Sequence, residues 1–165
     1  MKGVLARLGD VHILKRTISM ATFTNNYRNY LLLGVAALAF GGASFIYLCF
    51  CSTDLYLYDW FGIDVKSDWI QNLRMNFSSV HTPIWLRYNL PDALWLLAYM
   101  LIIETIWTNK ERLYKNIFIY GMVSLAIFAE LLQYYQIISG TADWWDVFSY
   151  LMTLLTFYLF KHYEN

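Results

Sequence analysis

Apolar residues run along this chain in long blocks rather than in strict alternation. Four blocks stand out: YLLLGVAALAFGGASFIYLCFC (30–51), PDALWLLAYMLIIETIW (91–107), NIFIYGMVSLAIFAELLQYYQII (116–138) and WWDVFSYLMTLLTFYLFK (144–161). A hydrocarbon core of about 30 Å takes roughly 17–25 helical residues, so each block is long enough to cross it. The second and fourth are near the short limit and lean on their aromatic flanks. The pattern predicts an all-α integral membrane protein, a four-transmembrane-helix bundle with an outer interfacial loop or helix.

The segments between the blocks carry their own patterns. Residues 1–29 form a basic leader in which Val4, Leu8, Val11 and Ile18 fall on one helical stripe, with Arg7, Lys15 and Arg16 off it. That suits either a helix lying on an anionic leaflet or a frayed basic tail, because Gly3 and Gly9 weaken the helix. A cleaved signal peptide does not fit, since the leader is long and the first apolar block is a full span. Residues 52–90 are the one sizeable loop. Within it Ile63, Val65, Trp69, Leu73 and Phe77 recur at helix-like spacing, as on an interfacial helix.

Charge sets the orientation. Lys2, Arg7, Lys15, Arg16 and Arg28 precede the first span, Lys110, Arg112 and Lys115 join the second to the third, and Lys161 ends the fourth. Only Lys66, Arg74 and Arg87 lie on the other side. The excess of Lys and Arg marks the cytoplasmic side, so both termini are expected there, in a multi-pass protein of the plasma membrane. Trp60, Trp69, Trp85, Trp95, Trp144 and Trp145 gather at the outer side, as an interfacial belt would.

Composition agrees with lipid as the solvent: 59% hydrophobic, 19% aromatic and 15% charged over 165 residues, room for one domain. The formal net charge is zero, so no global basic field exists to attract nucleic acid. Cys49 and Cys51 read as two small apolar residues near a helix end, because two thiols make an incomplete zinc site and a C-x-C disulfide closes a strained loop. Gly34, Ala37, Gly41, Gly42 and Ala43 form a small-residue face on span one. Such a face packs inside the bundle or against a second chain, so partners are membrane lipids and a homo- or hetero-oligomer through span one.

The polar residues at the third turn raise the functional question. AELLQYYQIISGTADWWDVF (129–148) holds Glu130, Gln133, Gln136, Asp143 and Asp146. Capping accounts for some of them: Gly140 as a left-handed end to span three, Asp143 as N-cap of span four, and Asp146 in its first turn. Pro91 with Asp92 opens span two by the same logic. Capping does not account for Glu130, eight residues inside the expected end of span three, and Gln133, which follows at i+3 on the same face. There they are either an interhelical clamp or a binding site. Glu104, toward the inner leaflet, is expected to snorkel to Lys110 or Arg112.

Glu130, Gln133, Gly140 and Asp146, set in a Glu-x-x-Gln run, a short Gly-bearing turn and an Asp at the start of the last helix, resemble the VanZ-like family of small bacterial membrane proteins. The likeness covers about 40 residues. The chain departs from the family at Thr141, Tyr150 and Thr153, where an Arg, an Asn and a Gly are usual. The resemblance implies a cell-envelope role, the namesake being associated with glycopeptide (teicoplanin) resistance, and no established catalytic chemistry.

Three functions are consistent with these patterns. One is a non-catalytic envelope protein whose outer face binds a polar ligand or lipid headgroup through Glu130, Gln133, Asp146, Asp92 and Asp143. The second is a small structural subunit of a larger membrane complex. The third is an enzyme on a lipid-linked substrate, with His81, Arg74 and Arg87 meeting phosphate and Asp92, Asp143 and Asp146 holding Mg²⁺. The last lacks H-E-x-x-H, G-x-S-x-G and any nucleophile–base spacing. No cofactor is expected. A solitary transporter fits poorly, because four short spans show no paired broken helices.

Overall fold

The first helix has no proline to stop it, and it runs far. In the computed structural model, which describes residues 2–51, 58–59, 62–107, 111–139 and 141–163 (side chains from 26 to 161), α1 covers Lys2–Phe50. Its 49 residues are about 74 Å long at 1.5 Å per residue. The basic leader and the first span are therefore one helix. After it come α2 (Asp68–Phe77), α3 (Ile84–Ile106), α4 (Arg112–Tyr134) and α5 (Trp144–Tyr163). Every one of these elements is helical.

Three helices are long and apolar enough to cross a membrane: Asn26–Phe50 of α1, α3 and α4. Helix α5 has spanning length at 20 residues but is not one of these three. Outward faces agree with a lipid setting. Leu38 is 78% exposed, Leu125 64% and Leu159 57%, a pattern that in water would be an aggregation surface.

Helix α3 is the hub. It packs against α1, α4 and α5, whereas α1 reaches only α3 and α2. Accordingly 44% of its apolar window is buried, against 17% for the other two candidate spans. The core joins Leu32, Ala36 and Ala39 of α1 with Leu96, Ala98, Met100 and Leu101 of α3, Ile119 and Val123 of α4, and Tyr150 and Phe157 of α5.

The small-residue face of α1 splits in two. Ala36, Ala39 and Ala43 are buried, spaced so that they meet α3. Gly42 sits 3.9 Å from Leu94 when given a Cβ. Gly34, Ala37 and Gly41 are exposed, a third of a turn or more away. Internal packing thus uses the alanines, and three of the five expected residues point out of the bundle.

Helix α3 begins at Ile84, so Pro91 does not open it but lies buried inside it. A proline in mid-helix has no N–H for the carbonyl four residues back, here that of Arg87. The Cys51 thiol supplies a substitute, donating to the Arg87 carbonyl at 3.2 Å. Both cysteines are free thiols and buried, and this bond gives Cys51 a backbone to satisfy.

The segment that follows α1 folds back onto this corner. Tyr58 donates its hydroxyl to the Tyr47 carbonyl at 3.0 Å, and Arg74 donates to the Cys51 carbonyl at 2.9 Å. Burial pushes the Tyr58 phenol up from its usual value, with the nearby Arg74 charge opposing. On α2 the inward residues are Ile70, fully buried, and Phe77, edge-on to Phe45 with ring centres 5.5 Å apart. Ile63 and Val65 precede α2, and Trp69 is exposed. Leu73 and Phe77 are half-buried on the expected stripe, while Ile70 takes the inward place expected of Trp69.

At the opposite end Glu104 is buried, and it does not snorkel. Its carboxylate takes Lys115 of α4 at 2.8 Å and Lys161 of α5 at 3.1 Å, tying three helices. Lys110 lies outside the described residues. A direct check targets the proline break. Cys51→Ala is expected to lower unfolding stability in detergent by about 1 kcal/mol, the worth of one ordinary hydrogen bond, while Cys51→Ser, which restores an O–H donor, stays near wild type. Equal loss in both variants would mean that only thiol packing matters.

Candidate functional site

The residues that precede and follow the turn between α4 and α5 meet the C-terminal end of α1 and the N-terminal half of α3. Helix α4 stops at Tyr134, four residues short of the expected end. Its terminator is Gln136, in the left-handed region at φ 58°. The Ile137 N–H bonds the Leu132 carbonyl and the Gln136 N–H that of Gln133, both at 2.9 Å, which is the Schellman pattern. Gly140, the expected terminator, lies outside the described residues. With this earlier stop Glu130 lies one turn from the helix end rather than two.

Asp143 caps α5 as expected. Its Oδ1 accepts the Trp145 N–H at 2.9 Å, and its carbonyl accepts the Asp146 N–H at 3.0 Å. Its own N–H donates to Glu130 Oε2 at 3.1 Å. Glu130 is thus a clamp that fastens the end of α4 to the start of α5, which settles one half of the ambiguity about it. Asp146 accepts no first-turn N–H. Instead its Oδ1 accepts Asn89 Nδ2 of α3 at 2.6 Å, and the same amide reaches Asp143 Oδ2 at 3.3 Å.

Asp92 is not a cap either, because α3 starts eight residues earlier. It accepts the Tyr47 hydroxyl of α1 at 2.6 Å, and the Tyr47 ring stacks on Trp95 with centroids 4.8 Å apart. One turn of α3 therefore points Asn89 toward α5 and Asp92 toward α1. Together Tyr47, Cys51, Tyr88, Asp92, Thr141, Asp143 and Asp146 line a cavity of about 420 Å³. Buried Tyr150 of α5 packs near Asp92, Asp146 and Glu130.

Three of the five expected site residues, Asp92, Asp143 and Asp146, line the cavity, and Glu130 is linked to them through the Asp143 N–H. Gln133 does not join them. It is half-buried, lies off the cavity lining, and contributes only its carbonyl to the helix end. Tyr47 and Asn89 were absent from the expected set. Neither carries a sequence signal, since a tyrosine in an aromatic-rich span and an asparagine before a proline look like ordinary interface and turn residues.

Asp92, Asp143 and Asp146 share the wall of this cavity. Among the described residues no three Asp, Glu, His or Cys side chains group closely enough to hold a metal. The loop arginines bond locally: Arg74 donates to the Cys51 carbonyl while its Nε is buried without a partner, and Arg87 donates to Thr82 and lies over the Phe50 ring at 5.5 Å. No protein-family model, curated protein or solved structure matches the chain.

The hydrogen bonds at this end carry a measurable consequence. Removing the hydroxyl in Tyr47→Phe leaves Asp92 without its donor, and should reduce stability in detergent by about 1.5–3 kcal/mol, the range for a bond to a charged group. In Tyr47→Phe/Asp92→Asn the two losses should be less than additive by 0.5 kcal/mol or more, as for coupled neighbours. Strict additivity would show that the bond does not form.

Proposed function

We propose that the chain is a non-catalytic, VanZ-like integral membrane protein of the bacterial cell envelope, and that its outer cavity binds a polar ligand or lipid headgroup. In this reading α5 is the fourth span, both termini are cytoplasmic, and the protein sits in the plasma membrane. The observation that carries it is the convergence of Asp92, Asp143 and Asp146 on a cavity of about 420 Å³ at the end of the bundle where α1, α3 and α5 meet. An ionised carboxylate accepts up to about four hydrogen bonds, and Asp92 and Asp146 use only part of that capacity on Tyr47 and Asn89. The complementary ligand offers N–H or O–H donors, as an ammonium-bearing or hydroxyl-bearing headgroup does.

The Lys and Arg distribution supports the orientation, since the carboxylate end is the one with few basic residues. Of the residues that carry the resemblance, Asp146 lines the cavity and Gln133 takes no part in it. A second reading, a small subunit of a larger membrane complex, is favoured by the exposed Gly34, Ala37 and Gly41 on α1, a surface on which another helix could approach closely.

Binding tests the proposal. In native mass spectrometry from detergent, phosphatidylethanolamine, with its ammonium donors, should be retained over phosphatidylcholine, which has none. Asp92→Asn and Asp146→Asn should each remove about tenfold of that preference, and in cells should abolish any glycopeptide-susceptibility phenotype at unchanged protein level. If both variants keep the preference and the phenotype, the cavity is a packing feature and the ligand role is wrong.

A further inference from the structure

The far end of the bundle holds a second cavity, of about 320 Å³, whose chemistry is the reverse of the first. Arg28 of α1, Arg112 and Lys115 of α4 and Lys161 of α5 line it together with Asn116, and among the described residues Glu104 is the one acid in its wall. Four cations face a single carboxylate. Glu104 is already engaged by Lys115 and Lys161, so it leaves the two arginines without an anion. Arg28 Nε is buried and has no hydrogen-bond partner. Neither Arg28 nor Arg112 forms an ion pair among the described residues.

A buried guanidinium N–H with no acceptor costs free energy, and a group of like charges around a cavity repels itself unless a counter-ion enters. Three elements contribute cations to one concave space, so this is not a solvated charge run on one helix. Guanidinium groups match phosphate oxygens in geometry, often in paired bonds. The walls beside the charges include Tyr120 and Tyr158, 47% and 59% exposed, and the outward faces of α4 and α5 beyond them are apolar. A phosphate seated at the arginines would leave acyl chains lying along those faces.

We propose that this cavity is a phosphate-binding site for an anionic headgroup, with Arg28 and Arg112 as the direct ligands and the Lys115–Glu104–Lys161 cluster as its fixed floor. Basic pockets between spans are a recurrent way to hold acidic headgroups at the cytoplasmic leaflet. The site is independent of the outer cavity: it uses other residues, other helix ends and the opposite charge.

The full chain, purified in detergent, provides the test, with phosphatidylglycerol, phosphatidylcholine and soluble glycerol 3-phosphate as separate probes in native mass spectrometry and thermal-shift titration. Phosphatidylglycerol should be retained over phosphatidylcholine, less so as ionic strength rises. Arg28→Gln and Arg112→Gln should each weaken it about tenfold. Lys66→Gln, in the exposed outer loop, should not. Midpoints measured without added lipid show that the variants are folded, and either arginine variant alone suffices for the comparison. If glycerol 3-phosphate binds and loses affinity in the same variants while the lipid shows no preference, the phosphate site stands and its source is soluble. If neither probe binds, or if the arginine variants bind as wild type does, the proposal is overturned.

Discussion

A polar side chain between apolar helices is costly without a partner, and the inward stripes of α3, α4 and α5 end in polar residues that pair across the bundle. Helix α5 shows the rule most simply. Asp146, Tyr150, Thr153, Phe157 and Lys161 descend one face at helical spacing, with an acid at one end, a cation at the other and less polar residues between. Helix α4 runs Lys115, Ile119, Val123, Glu130 in the opposite sense. Central α3 carries Asn89 and Asp92 at one end and Glu104 at the other. Each polar end meets its complement on a neighbouring helix: Asn89 with Asp146, Asp92 with Tyr47, Glu104 with Lys115 and Lys161. In an apolar medium an unmade bond is expensive, so these pairs fix the register of the helices, while the alanines of α1 set how closely it approaches.

Local patterns in the sequence reached the helices and stopped short of the pairings. Block length identified α1, α3, α4 and α5, and a capping residue with the right neighbours identified Asp143. Two boundaries misled for the same reason: a residue with a strong local habit was overruled by its surroundings. Pro91 looks like a first-turn proline, yet the helix continues through it because the Cys51 thiol takes the orphaned carbonyl 36 positions away. Gly140 looks like the terminator, yet Gln136 ends α4 in the left-handed region, where a non-glycine residue costs about 1–2 kcal/mol. That strain suits a position that must turn the chain early enough for Glu130 to reach the Asp143 N–H.

Long-range partners were the least legible. Glu104 lies near Lys110 and Arg112 in sequence, so a local snorkelling contact was the natural expectation. It pairs instead with Lys115 and with Lys161, the latter 57 residues on, because its face of α3 is turned into the bundle. Gln133 failed in the other direction. Its spacing from Glu130 put it on a shared face, but the helix ends between them and the outer turn, so only the residue one turn deeper meets Asp143. Periodicity gives the face of a helix and not the identity of what that face meets.

The structure is thus a bundle with one carboxylate end and one cationic end, and the functional account depends on these ends facing opposite sides of a membrane. Single cysteines at exposed Ser79, near the carboxylate end, and at exposed Glu111, near the cationic end, make that directly measurable, since native Cys49 and Cys51 are buried. With a membrane-impermeant maleimide on intact cells, Ser79→Cys should label at once and Glu111→Cys only after permeabilisation. Labelling of both from the outside, or of Glu111→Cys alone, would contradict the account.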